Sequence, residues 1–123
     1  MLKTNIIVKL QLEGFHCWPD AKNVFPEVSF LSDKHRHIFH ILGKKEVSHD
    51  DRDVEIIMFK RDLIDFLYEE YGVQQGPDSQ YKWLQFGSKS CEMLAKELLI
   101  RFDLEYCSVL EDNENGAECF KTE

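Results

Sequence analysis

The chain has 123 residues, 43% of them hydrophobic and 31% charged, values that fit a single folded domain over 1–123 and exclude wholesale disorder. Its formal net charge of −8 excludes long nucleic acid as a partner, because such binding rests on many Lys and Arg contacts to phosphates; a local cationic pocket can still hold a small anion. No apolar run reaches the ~20 residues of a membrane span, and the N-terminus enters a strand pattern without a signal-peptide core, so the expectation is a cytoplasmic protein with no membrane partner.

The first segment alternates, with Ile6, Val8, Leu10 and Leu12 on one side and Asn5, Lys9, Gln11 and Glu13 on the other. That pattern predicts a half-buried strand ending at Gly14. Phe15 to Asp33 reads as an irregular stretch, unusually apolar for a loop, and such loops cover a core edge or a pocket. Lys34 to Val47 predicts a second long strand. One face carries His35, His37, Phe39 and Ile41, and the other Arg36, Ile38, His40 and Leu42.

An apolar run from Val54 to Phe59 leads into a helix predicted over Lys60 to Tyr71, which Gly72 ends. Gly72 to Gln80, with Gly76-Pro77-Asp78, reads as a polar loop. Cys91, Leu94, Ala95, Leu98, Leu99 and Phe102 fall at helical spacing, with Ser90 as N-cap. Tyr106 to Glu111 predicts a third strand, Asp112 to Gly116 a turn, and Ala117 to Phe120 a fourth strand. The order ββααββ implies an α+β fold: an antiparallel sheet of two β-hairpins with two helices packed on one face. The four cysteines (17, 91, 107 and 119) lack any CxxC spacing and read as reduced, partly buried thiols.

Three histidines stand out. His35 and His37, two apart on a strand, point the same way and are close enough to share an ion, and His16 comes near if the first two strands pair. Spacing alone favours the plainer reading, a polar strand surface. Arg36, on the same strand and among aromatics, suits a phosphate.

The order of elements and motifs resembles the 6-pyruvoyl- and 6-carboxy-tetrahydropterin synthase family, which has the tunnelling fold, or T-fold. His16 corresponds to the family's zinc-binding histidine after the first strand, and His35 and His37 to the His-x-His that opens the second. Ser90-Cys91-Glu92-Met93-Leu94-Ala95 is similar to the start of the family's second helix. Val109-Leu110-Glu111 with Ala117-Glu118-Cys119-Phe120 resembles the hairpin that bears its pterin-anchoring Glu. The resemblance implies zinc on His16, His35 and His37, with Glu111 holding the pterin. Two departures cut against turnover. Leu31 stands where the family has its nucleophilic Cys, and the family's Asp-His pair has no counterpart in Gly72 to Gln80. Cys17, beside His16, is the one thiol placed to replace that nucleophile, although a spectator thiol is the plainer role.

A second resemblance, carried by Gly14-Phe15-His16-Cys17-Trp18-Pro19-Asp20-Ala21, His35 to His40, Ser90-Cys91-Glu92 and Glu111 to Ala117, is to the bacteriophage Thoeris anti-defence family. It implies a sponge in the cytoplasm of an infected bacterium. Such a protein sequesters a cyclic ADP-ribose-type signal, or other cyclic nucleotides, without cleaving it and without a cofactor. Its ligand set would be Phe15, Trp18 and Phe86 (with Trp83) for stacking a base. Arg36, Ser88 and Ser90 would take phosphates, and Glu111, Asn113 and Asn115 the ribose and base edges, with His16 and His37 beside them. For Phe86 and Trp83 core packing is as ready a role, and for Asn115-Gly116 a plain turn is readier. The missing nucleophile weighs towards this non-enzymatic reading. Both resemblances imply a homo-oligomer, a dimer or hexamer, with exposed sheet edges paired across subunits.

Overall fold

The structure is a computed structural model that describes residues 1–74 and 82–123. Two 13-residue strands, β1 (Thr4–His16) and β2 (His35–Val47), form its spine. They pair antiparallel along their whole length, from Thr4↔Val47 to His16↔His35. β5 (Tyr106–Glu111) adds to β2 with Ile41 opposite Val109, and β6 (Asn115–Phe120) adds to β5. Because side chains alternate along a strand, this register puts Val8, Leu10, Phe39, Ile41, Cys107 and Val109 on one face. The helices α2 (Ile56–Tyr71) and α3 (Cys91–Phe102) bury Phe59, Leu63, Leu67, Leu94, Ala95, Leu98 and Leu99 against that face in a single core.

The expected α+β class therefore holds, with three corrections. Two short strands lie between α2 and α3: β3 (Gly72–Gln74) and β4 (Lys82–Gln85). β4 runs parallel to β1, with Gly14 opposite Leu84, so the sheet is mixed, in the order β3-β4-β1-β2-β5-β6. The polar loop expected over Gly72 to Gln80 thus begins as strand, and its remaining part, 75–80, lies outside the described residues. Third, α2 starts at Ile56 rather than Lys60. The Glu55 carboxylate accepts hydrogen bonds from the Ile57 and Met58 N–H groups and caps the helix, so the apolar run at 56–58 is exposed helix surface.

β1 also continues through Gly14 to His16, because strand pairing persists and Gly14 makes room. A Cβ there would sit 2.8 Å from Phe86 Cε2 and 3.0 Å from Phe39. The stretch between β1 and β2 folds into a short helix, α1 (Ala21–Val24), and a 3-10 turn over Pro26–Ser32. The Trp18 N–H donates to the Leu31 carbonyl at 2.7 Å and closes the base of this excursion. All four cysteines are free thiols, with Cys91 and Cys107 buried. No helix among the described residues is long and apolar enough to cross a membrane.

Candidate functional site

Three strand ends meet beside the N-terminus of α3. β1 ends on His16 and β2 begins on its partner His35, while His37 lies opposite Gly14. β5 ends on Glu111, opposite Phe39. Period-two alternation puts His16, His35, His37 and Glu111 on the helix-covered face, and one ligand atom from each lies within 4.8 Å of the others. Phe39 forms the floor, its ring edge-on to His16 at 5.2 Å and to His37 at 5.8 Å.

Each imidazole is held by its Nδ1. His16 Nδ1 donates to the Lys89 carbonyl at 3.0 Å, and His35 Nδ1 to the Asp33 carbonyl at 2.8 Å. His37 Nδ1 donates to Asp112 Oδ2 at 2.7 Å. Carbonyls and carboxylates only accept, so all three rings carry a proton on Nδ1, and the Nε2 lone pair is the one a neutral ring presents. Asp112 is itself fixed. Its Oδ1 accepts the Ile38 N–H, its own N–H donates to the Ile38 carbonyl, and it opens the β5–β6 turn at φ 54°. These hydrogen bonds, from His37 first and then Ile38, hold its carboxyl below the usual range.

His16 Nε2 is the telling atom. The residue is 8% exposed, and this nitrogen has no hydrogen-bond partner among the described residues. Glu111 Oε2 lies 2.8 Å away without meeting hydrogen-bond geometry. A carboxylate facing a lone pair is repulsive unless a cation stands between them or the ring is protonated. Glu111 Oε1 lies 3.6 Å from His37 Nε2. The donor set, imidazole nitrogens and a carboxylate with each imidazole oriented from behind, is one that zinc takes. Zinc bonds of about 2.1 Å set ligand atoms roughly 3.4 Å apart, so closing the cluster on an ion asks only small side-chain shifts.

Above the cluster opens a cavity of about 520 Å³, walled by Trp18 and Leu31, by Ser88 to Met93, and by Glu111, Asn115 and Gly116. Of the residues singled out in the sequence, His16, Trp18, Ser88, Ser90, Glu111 and Asn115 line this cavity, and His37 joins through the histidine cluster. Four expected residues lie elsewhere. Phe15 and Arg36 pair across β1 and β2 on the opposite face, where Arg36 bonds Glu13 and Lys34 sits over the Phe15 ring. Phe86 is buried between Phe39 and Tyr71 as core. Asn113 is exposed at the turn with φ 58°.

Lys89, Cys91 and Asp112 are site residues that sequence reasoning missed. Adjacency to Glu111 was the one available signal for Asp112, and none exists for a backbone carbonyl such as that of Lys89. Cys91 lies in the cavity wall, where burial first, then the Glu111 and Glu92 carboxylates, push its thiol up to about 12 and favour the protonated form. Beside the cavity the Lys89 ammonium donates to Glu97 and to the Tyr71 hydroxyl. Comparison with models of known protein families finds no match, and comparison with curated protein sequences finds none either.

Proposed function

We propose that the chain is a zinc-dependent protein of the T-fold pterin-synthase type, with the ion on His16, His35 and His37 and a planar heterocyclic small molecule in the cavity above. The buried, unpartnered His16 Nε2, in a ring held from behind by the Lys89 carbonyl, carries the reading. Zinc in this setting supplies a Lewis acid that polarises a carbonyl or hydroxyl oxygen of the bound molecule. Trp18 offers an aromatic face for stacking. Glu111 accepts hydrogen bonds from the heterocycle's N–H groups, and Leu31 and Trp18 line one wall of the cavity.

A second reading draws on Leu31, which lines the cavity where the resembled enzymes carry their nucleophile. A pocket without that thiol suits sequestration: tight binding of a cyclic ADP-ribose-type nucleotide, unchanged, by a phage-encoded oligomer.

Metal analysis of the purified chain, followed by heat denaturation and identification of released small molecules, separates the two. About one zinc per chain, lost in His16→Ala and His37→Ala, is the expected result. A chain that takes up no divalent metal on reconstitution and releases an intact cyclic nucleotide would replace the first reading with the second.

A further inference from the structure

A cluster of polar side chains beside the cavity leads to His16 through the main chain of its lysine. Tyr71 closes α2, Lys89 lies in the loop before α3, and Glu97 lies in the second turn of α3. The Lys89 ammonium donates to Glu97 at 2.7 Å and to the Tyr71 hydroxyl at 2.6 Å, and that hydroxyl donates to Glu97. The Lys89 and Glu97 side chains are only 35% and 32% exposed, so the pair is more constrained than an open surface bridge.

Two paths run from this cluster to the same imidazole. The first is the backbone. The Lys89 carbonyl accepts the His16 Nδ1 proton, and among the described residues the loop that carries it is also tied by Phe86 N–H to the Phe15 carbonyl at 2.9 Å, Lys89 N–H to the Phe86 carbonyl at 3.2 Å, and Cys17 N–H to the Gly87 carbonyl at 2.9 Å. Gly87 takes φ +64° with open space around it, and the lysine side chain is one of the loop's anchors. The second is a stack of rings. Tyr71 packs on Phe86 at 5.0 Å, Phe86 on Phe39 at 4.9 Å, and Phe39 on His16 at 5.2 Å. Hydrogen bonds behind a metal-binding histidine fix its tautomer and tune its affinity. Here the group behind is a main-chain carbonyl, and the anchored side chain of the same residue restrains where that carbonyl points.

We propose that Tyr71, Lys89 and Glu97 are positioning residues for the histidine cluster: by anchoring the Lys89 side chain they aim its carbonyl, which keeps the His16 proton on Nδ1 and the Nε2 lone pair turned towards His35, His37 and Glu111. The consequence for metal affinity rests on the zinc reading; the tautomer does not.

The test uses Lys89→Met and Glu97→Gln in the full chain, with two measurements. Nitrogen-15 spectra of the metal-free protein report the His16 tautomer, and visible absorption during cobalt(II) titration reports metal affinity. In the parent, His16 shows the Nδ1–H form alone. In both variants it shows a mixture, and the cobalt(II) dissociation constant rises about 10- to 100-fold. A parent-like tautomer in both variants overturns the proposal and leaves the cluster a tie between α2 and α3. If neither variant folds, Tyr71→Phe, which keeps the ring on Phe86, decides by the same tautomer readout. A parent that binds no cobalt(II) defeats the zinc reading, while the His16 spectra still judge this one.

Discussion

Gly14→Ala destabilises the protein, and the structure sets the size of the loss. The new methyl carbon stands 2.8 Å from Phe86 Cε2 and 3.0 Å from Phe39 Cδ2 and Cε2, where carbon atoms rest at about 3.5–4.0 Å. One or both rings must move by more than half an ångström. Neither has room: Phe39 is 0% and Phe86 3% exposed, and each packs on a further ring, His16 or Tyr71. Overpacking of this kind costs about 1–3 kcal/mol, and two confined rings put the cost near the upper end. Replacing glycine in a strand returns about 0.5–1 kcal/mol of backbone entropy, so the net loss is roughly 2 kcal/mol. For 123 residues, an unfolding entropy of about 2.1 cal/mol/K per residue converts 1 kcal/mol into about 4 °C. The midpoint should therefore fall by about 8 °C in a thermal melt followed by circular dichroism. A Gly14→Ala midpoint at or above the parent's would refute the reasoning.

Asp112→Asn keeps a residue that tolerates positive φ but turns an amide towards His37 Nδ1, which favours the other tautomer. Zinc affinity should drop about 10- to 100-fold with little change in melting midpoint, checked by competition against a chelating dye. Ser90→Ala removes the acceptor of the Met93 N–H at the start of α3 and should cost about 1 kcal/mol in denaturant unfolding. Glu55 is held below the usual carboxylate range by hydrogen bonds from the Ile57 and Met58 N–H groups, and Asp53 by those from the Ser48 N–H and hydroxyl. Folded values below unfolded ones mean that this stabilisation is fully present above the ordinary carboxylate pKa of about 4 and is lost as pH falls through the depressed values. The melting midpoint should therefore drop on acidification below about pH 4, less steeply in Glu55→Gln; an equally steep drop in that variant would remove Glu55 from the account.

α3 was legible residue by residue, since its buried positions and its Ser90 cap are both local signals. The histidines were legible because alternation on β2 and the end of β1 fix their direction once those strands pair. That same alternation already placed Arg36 opposite His35 and His37, and a phosphate role beside them conflicts with it. The start of α2 was obscured because Ile56 and Ile57 read as strand-formers, while a single glutamate cap decides the matter. β4 (Lys82–Gln85) was missed because Leu84 is the one residue in it described as buried, too short a signal to mark a strand. The carbonyls of Lys89 and Asp33, and the grip of Asp112 on Ile38, arise from strand register and turn geometry, and no pattern along the chain encodes them.

His16, His35, His37 and Glu111 come together only when β1, β2 and β5 are all paired. Segments nearly a hundred residues apart in the chain must therefore dock before the cluster exists. Any species that bridges the four is a staple across the centre of the sheet, and it gains affinity only from the completed fold. A chain whose last hairpin has not yet zipped onto β2 has the three histidines without Glu111, and a species bound across all four would hold that hairpin shut.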